Sequence, residues 1–167
     1  MAVQVFIKPG GGHVSVMTTT ATHYIEVNAP ADRCYRWWRP LTHLPEIMSD
    51  VRRVEPKDGH ADVTKWVVDG PLGRPVEWEA KIVDEERDRK IAWASLDTGS
   101  NDIDTGGAVR FDNHGDTTGV EVSLHINPPA GALGEAAVAL FHDPQEKIEN
   151  ALAEFKRLIE ADTGVAR

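Results

Sequence analysis

Histidine, cysteine and glycine are the residue types whose spacing would first reveal a metal site, a nucleophile or a phosphate-binding loop in this chain. The seven histidines stand at positions 13, 23, 43, 60, 114, 125 and 142, and none forms a His-x-x-x-His pair of the kind that binds zinc. The glycine runs at 10–12 and 106–107 lack the pattern of a Walker or dinucleotide-binding loop. The sequence therefore predicts neither a metal ion nor a nucleotide cofactor.

Cys34 is the one cysteine, and it stands between Arg33 and Arg36 in the sequence. Nearby guanidinium groups would lower a thiol pKa, but no histidine partner is visible in this segment. A buried and unreactive thiol is therefore the favoured interpretation. Since a single cysteine cannot form an internal disulfide, we expect a cytoplasmic protein.

Five tryptophans, at positions 37, 38, 66, 78 and 93, are a generous number for 167 residues. The indole ring is large and amphipathic, so it can hold a flat apolar ligand. It can equally fill a core, as most aromatic residues on strands do. Which of the two applies depends on the elements that carry the rings.

Six segments after residue 50 have strand composition and are separated by turn residues such as Asp58-Gly59 and Gly115-Asp116. We predict strands at 51–55, 63–69, 76–84, 90–96, 105–112 and 118–127, preceded by a first strand at 20–28. Connections this short require antiparallel neighbours.

Apolar and polar residues alternate in the best of these segments. Val76, Trp78, Ala80 and Ile82 share one face, and the even-numbered residues of 120–126 do the same. The pattern predicts a sheet that is dry on one face and wet on the other.

Helices are predicted at both ends of this sheet. Pro30 opens a short helix that ends before Pro40, and a second short helix is expected over 41–48. Near the C-terminus, Asp143 is the predicted N-cap of a long helix. Its apolar stripe is Ile148, Leu152, Phe155 and Ile159, with Gly164 as its stop and a preceding turn or two of helix over 134–142.

The length fits one domain, which we place at 18–163. Residues 1–17 differ in composition, and three interpretations stay open: an extra edge strand, a disordered arm, or translation that begins at Met17.

Acidic residues outnumber basic ones by 27 to 18, which gives a net charge of −9 and argues against nucleic-acid binding. No apolar run is long enough to span a membrane.

The order strand, two short helices, six strands and long helix resembles the helix-grip superfamily of START and pollen-allergen-like proteins (SRPBCC). The sequence segments that show this resemblance are V-N-A-P-A-D at 27–32 and W-x-x-P-L-T-H-L-P-E-I-M at 37–48. Four further segments are similar to the polyketide cyclase/dehydrase and lipid-transport branch of this superfamily, particularly to its small bacterial members. They are V-E-W-E-A-K-I at 76–82, R-K-I-A-W at 89–93, G-G-A-V-R-F at 106–111 and P-P-A-G-A-L-G at 128–134. The resemblance covers 20–161. It implies an α+β helix-grip fold in which a curved antiparallel sheet of about seven strands wraps around the C-terminal helix.

The resemblance also implies a ligand cavity between the dry face of the sheet and the long helix. It nominates as ligand-binding residues Trp78, Ile82, Ile91, Trp93, Val109, Phe111, Val122 and Leu124, with Trp66 and Phe141 as further candidates. Relatives that cyclise polyketides use polar cavity groups, for which Tyr35, Ser95 and Arg110 are the candidates in this sequence. Ser95 shares a face with Trp93, whereas Arg110 alternates out of phase with Phe111 and is expected to face solvent.

Three functions are compatible with these observations. The first is the binding of a lipid, an isoprenoid or an aromatic polyketide-like molecule without catalysis, by a monomer or weak homodimer that needs no cofactor. The second is a polyketide aromatase/cyclase-dehydrase. The third is a stress-related interaction module that acts through its surface and holds no ligand.

Overall fold

A computed structural model of the protein describes residues 19–70, 73–97, 104–127 and 143–163. The described elements are β1 (Thr19–Val27), α1 (Ala31–Trp38), a 3-10 turn (Leu44–Glu46), β2 (Val51–Lys57), β3 (His60–Asp69), β4 (Pro75–Glu86), β5 (Lys90–Ser95), β6 (Asp104–Asn113), β7 (Thr118–Asn127) and α2 (Pro144–Thr163). The seven strands are the predicted ones. The predicted arm at 1–17, the preceding helical turn at 134–142 and the stop at Gly164 lie outside the described residues.

All seven strands form one curved antiparallel sheet in the order β1-β7-β6-β5-β4-β3-β2. From β1 at one edge, the chain therefore crosses to β2 at the opposite edge through α1 and the 3-10 turn, and returns strand by strand to pair β7 with β1. The helix-grip fold predicted from the sequence is confirmed.

Among the described strands, β1 lies at one edge of the sheet, and side chains of α2 bond its outer backbone groups. Gln145 Nε2 donates to the Thr22 carbonyl at 3.0 Å, and Lys156 Nζ donates to the Glu26 carbonyl at 2.8 Å. Just beyond the strand, the Asn28 N–H donates to Glu160 Oε1 at 2.9 Å. These bonds dock the helix along β1 and satisfy groups that would otherwise be free to pair with another strand.

The predicted helix over 41–48 is reduced to the 3-10 turn at Leu44–Glu46. Leu41 has a φ of +59°, a left-handed conformation that cannot continue a helix from α1. Its side chain is fully buried, so the reversal of the chain here brings an apolar residue into the core. Tertiary burial thus outweighs the local helical preference of this segment.

Helix α2 begins as predicted, because the Glu146 N–H donates to Asp143 Oδ1 at 3.1 Å. The predicted stripe, Ile148, Leu152, Phe155 and Ile159, is buried together with Ala151. No helix within the described ranges is long and apolar enough to cross a membrane.

The interior between sheet and helices has two ends that differ in packing. At the filled end, α1 packs on β6, and Cys34, Ile91, Val109 and Phe111 are all buried. At the open end, the first turns of α2 and the 3-10 turn face Trp66, Trp78 and Trp93 on the sheet across an unfilled space.

Candidate functional site

The unfilled space is a cavity of about 80 Å³ at the open end. The sheet contributes Trp66, Val68, Trp78, Trp93, Val122 and Leu124 to its wall. Helix α2 contributes Ile148, Ala151 and Leu152, while Leu44 and Met48 close one side. Almost every lining side chain is apolar, so the cavity suits an apolar molecule.

Three stacked tryptophans from neighbouring strands form one wall of the cavity. Trp66 and Trp78 lie directly opposite each other on β3 and β4, with ring centroids 5.7 Å apart and an interplanar angle of 19°. Trp93 of β5 stacks on Trp66 at 6.3 Å and 23°. The Trp66 Nε1–H donates to the buried Thr64 hydroxyl at 2.9 Å, which fixes the orientation of this ring. The wall is thus a broad, ordered aromatic surface.

Small residues around these rings keep the space open. A Cβ atom at Gly107 would lie 2.5 Å from Cζ2 of Trp93 and 2.8 Å from Cδ2 of Leu124, so this position must be glycine for the indole to lie where it does. Across the cavity, Ala151 presents only a methyl group from α2. A larger side chain at Ala151 would occupy the space, and one at Gly107 would collide with the Trp93 and Leu124 side chains that line it.

Trp38, at the end of α1, also lines the cavity and is only 3% exposed. Its Nε1–H is the one buried side-chain nitrogen or oxygen without a hydrogen-bond partner among the described residues. Leaving such a donor unpaired costs about 1–3 kcal/mol. The cavity wall therefore contains one unsatisfied donor.

The charged residues in the wall are Asp50 and Lys147, and Thr105 adds a hydroxyl group. Lys147 Nζ lies 2.6 Å from Asp50 Oδ2, so the pair joins the first turn of α2 to the start of β2. The Thr105 hydroxyl donates to the His125 carbonyl at 3.1 Å. Polar chemistry in the cavity is thus confined to a few groups.

Five of the residues nominated from the sequence line this cavity: Trp66, Trp78, Trp93, Val122 and Leu124. Ile91, Val109 and Phe111 share the same face of the sheet but lie at the filled end, where they are buried in the core and do not line the cavity. Ser95 is half-buried, and its hydroxyl accepts a hydrogen bond from the Thr105 N–H at 3.0 Å. Phe141 lies outside the described residues.

Tyr35 and Ile82 line a different, more open pocket of about 460 Å³ beside α1. A register shift between Ile82 and Asp84 places Glu85 opposite Ile91, so that Glu85 reaches Arg39, the residue after α1, and forms an ion pair with its Nε. Burial raises the pKa of Tyr35, and the charge of Glu85 raises it further. No residue pattern in this strand predicts the bulge.

Several cavity residues were not nominated from the sequence. Val68 and Ile126 share strand faces with nominated residues, so the alternation pattern could have included them. Asp50 precedes a strand and Lys147 adjoins the apolar stripe of α2, and neither position carries a pattern that predicts a cavity.

The remaining sequence candidates are placed as follows. Cys34 is a free, buried thiol, and burial raises its pKa to about 11, which makes it a poor nucleophile. Arg110 is exposed, as expected. Within the described residues, no group of three or more His, Cys, Asp or Glu side chains is arranged to hold a metal ion.

Solved structures of similar shape cover most of this chain. A structural-genomics protein from Deinococcus radiodurans is 29% identical with a TM-score of 0.66, over 86% of this chain and 99% of that one. The ZhuI aromatase/cyclase from Streptomyces sp. R1128 is 17% identical with a TM-score of 0.61, over 84% of this chain and 96% of that one, a likeness that shows the fold alone.

In sequence, the chain is 28% identical to an uncharacterized 17.2 kDa protein of Streptomyces lincolnensis over 105 residues. That match spans 62% of this chain and 66% of the relative, just under two thirds of its length. Residues 18–160 match the family described as polyketide cyclase / dehydrase and lipid transport. The match confirms the branch predicted from the sequence, and the chain belongs to this family.

Proposed function

We propose that this protein binds a small apolar or amphipathic molecule, of the lipid, isoprenoid or aromatic polyketide kind, in the cavity at the open end. The observation that carries the proposal is an apolar space walled by three stacked tryptophans, with Ala151 in its wall and Gly107 allowing the position of the Trp93 ring. The lipid-transport part of the family description supports the same function.

The size of the cavity limits what it accepts in this conformation. Its 80 Å³ is small beside the roughly 300–1,000 Å³ of pockets for drug-sized ligands, so it admits a small molecule or the narrow part of a larger one. A ligand that buries about 150 Å² of apolar surface there would gain about 4 kcal/mol at about 25 cal/mol per Å². A chain or ring system of modest size is therefore the expected guest.

Filling the cavity from the helix tests this function. Ala151→Leu places a larger side chain in the space, whereas Ala153→Leu makes the same change at an exposed position two residues away on α2. Binding of a neutral fluorescent probe, N-phenyl-1-naphthylamine, is measured for each variant and for the parent protein, and circular dichroism confirms that both variants are folded.

We expect the Ala151→Leu variant to lose probe binding at least tenfold and the Ala153→Leu variant to bind as the parent does. Native mass spectrometry of the purified protein adds a direct search for a retained apolar molecule. Equal probe binding by all three proteins, with no retained molecule, would contradict the proposal.

Aromatase/cyclase activity is the second candidate, and the pair formed by Asp50 and Lys147 favours it. Cyclisation and dehydration require proton transfer, for which a carboxylate and an ammonium group at a cavity wall are suitable. Turnover of a poly-β-ketone thioester mimic that is lost in both Asp50→Asn and Lys147→Met would support this candidate. Absence of turnover in the parent protein would eliminate it for that substrate.

The surface-interaction function has less support. The large apolar side chains exposed among the described residues are Tyr24 and Val83, which lie on β1 and β4 and so are separated by three strands of the sheet. An interaction surface is expected to show a contiguous apolar patch. These two isolated side chains do not form one.

The binding unit is proposed to extend over 18–163 and to act in the cytoplasm as a monomer or weak homodimer. Removal of residues 1–17 should leave probe affinity unchanged, and light scattering should give the mass of one chain at low micromolar concentration. A truncated protein that no longer binds the probe would show that the arm is part of the site.

A further inference from the structure

Asp50 and Lys147 form a charged corner of the cavity, at the place where the apolar space meets solvent. The side chains of Lys147 and Asp50 are 32% and 42% exposed, yet both contribute to the cavity wall. The Asp50 carbonyl accepts a hydrogen bond from the Asp69 N–H at 2.8 Å, which holds this residue at the junction of β2 and β3. A molecule whose tail lies against Trp66 would place a polar end at this corner.

The ion pair itself is exchangeable. A partly exposed lysine–carboxylate pair contributes little to stability, because water competes well for both charges. A ligand head group that replaced one partner would keep an ion pair in place while the tail gained apolar burial. The corner can therefore open at small cost.

The geometry favours the replacement of Asp50 rather than Lys147. The four-carbon stem of Lys147 is itself apolar wall, so its departure would expose the cavity, whereas Asp50 contributes a short carboxylate. Lys147 also lies in the first turn of α2, where the helix dipole favours an anion. Both features select a negatively charged head group.

We propose that the ligand of this cavity carries a carboxylate that takes the place of Asp50 on Lys147, with its apolar tail against Trp66, Trp78 and Trp93. The inference rests on the proposed function and narrows its ligand class to amphipathic acids. The carboxylate and the ammonium group form an ion pair without covalent chemistry.

Three eight-carbon probes that differ only in head group test the inference: octanoate, 1-octanol and octylamine. Their affinities are measured by calorimetry at pH 7.5 for the parent protein, Asp50→Asn and Lys147→Met. Lys81→Met is the matched control, because it removes the same charge from an exposed position on β4. Circular dichroism verifies that each variant is folded.

We expect the parent protein to bind octanoate several-fold more tightly than 1-octanol. Asp50→Asn should tighten octanoate binding about threefold, because the competing carboxylate is gone. Lys147→Met should weaken octanoate binding about three- to fivefold and change 1-octanol binding by less than twofold, while Lys81→Met changes neither.

Other outcomes separate two kinds of failure. If 1-octanol binds as tightly as octanoate, or octylamine binds best and Asp50→Asn abolishes its binding, the acidic head group is wrong and the apolar cavity still stands. If none of the three probes binds the parent protein, the proposed function fails together with this inference.

Discussion

The filled end and the open end of the interior are built on the same dry face of the same sheet, yet they are packed differently. At the filled end, Ile91 and Val109 are 0% exposed and α1 lies directly on β6. At the open end, large rings meet a glycine and an alanine, Gly107 and Ala151, and an unfilled space remains.

The difference shows that apolar character alone does not produce a cavity. Both ends carry aliphatic and aromatic residues in the period of a strand, and burial removes apolar surface from water at both. Only the open end combines rigid stacked rings with small neighbours, so its side chains cannot collapse into the gap. Shape, more than hydrophobicity, distinguishes a site from a core.

The largest expected effect comes from equal truncations at the two ends. Ile91→Ala should destabilise the protein by about 4–5 kcal/mol, near the top of the range for such changes, because close-packed neighbours cannot fill the hole. Leu124→Ala, which removes the same number of carbons beside the cavity, should cost only about 2 kcal/mol. Urea denaturation measures both, and equal losses would show that the ends are packed alike.

A smaller effect is expected from Gly107→Ala. The added methyl group conflicts with the Trp93 ring, and overpacking of this kind costs about 1–3 kcal/mol. Because Trp93→Phe removes the ring atom that is contacted, the double variant should lose less stability than the sum of the two single changes. A strictly additive double-mutant cycle would mean that the glycine does not hold the indole in place.

When each of two tryptophans at the open end is changed to phenylalanine, the two losses of folding stability should differ by about 1 kcal/mol. Trp66→Phe breaks a buried hydrogen bond to Thr64, whereas Trp38→Phe removes a donor that has no partner among the described residues. Thermal or chemical denaturation should therefore show the larger loss for Trp66→Phe. The reverse order would indicate that the Trp38 N–H is satisfied in solution.

The smallest effect concerns the surface near the filled end, where His114 Nδ1 lies 2.8 Å from Glu26 Oε1. This contact raises the pKa of His114 above its usual 6.5, so its stabilising contribution is complete below pH 6.5 and is lost as pH rises through the raised value. Hydrogen bonds from His114 and Thr117 lower the pKa of Glu26 to about 2, so its contribution is present above pH 4.5 and is lost between about pH 4.5 and 2.

The difference in melting temperature between the parent protein and His114→Gln should accordingly be greater at pH 5.5 than at pH 9. In acid, the difference in stability between the parent protein and Glu26→Gln should become smaller below pH 3, where the contribution of Glu26 is being lost. Both groups are exposed, so solvent screening keeps these differences small. Gaps that do not change with pH would contradict the assignment.

The sequence predicted the dry face of the strands in which apolar and polar residues alternate clearly, because alternation determines which side chains share a face. It therefore placed Trp78, Trp93 and Leu124 on the side that contains the cavity. It could not place Ile91 and Phe111 at the filled end, since the position of a residue beneath a helix depends on tertiary packing. The length of the helix predicted over 41–48 was overestimated for the same reason: tertiary packing buries Leu41 in a left-handed conformation that no helix can contain.

Two further features had no sequence signal. The bulge in β4 directs Glu85 towards α1 and leaves Ile82 beside a different pocket, and bulges follow no residue pattern in this strand. Asp50 and Lys147 are ordinary charged residues in the sequence, and only the fold brings them within 2.6 Å at the cavity.

The space between sheet and helix is tested most directly by titrating ¹⁵N-labelled protein with 1-octanol and following the five indole N–H signals by NMR. Four of the tryptophans line the cavity, whereas Trp37 does not: it stacks on His43 and meets Trp38 edge-on, so its signal serves as an internal comparison. We predict large saturable shifts for the signals of Trp38, Trp66, Trp78 and Trp93 and a smaller one for Trp37. Shifts that are absent, or that rise linearly and equally for all five, would contradict the account.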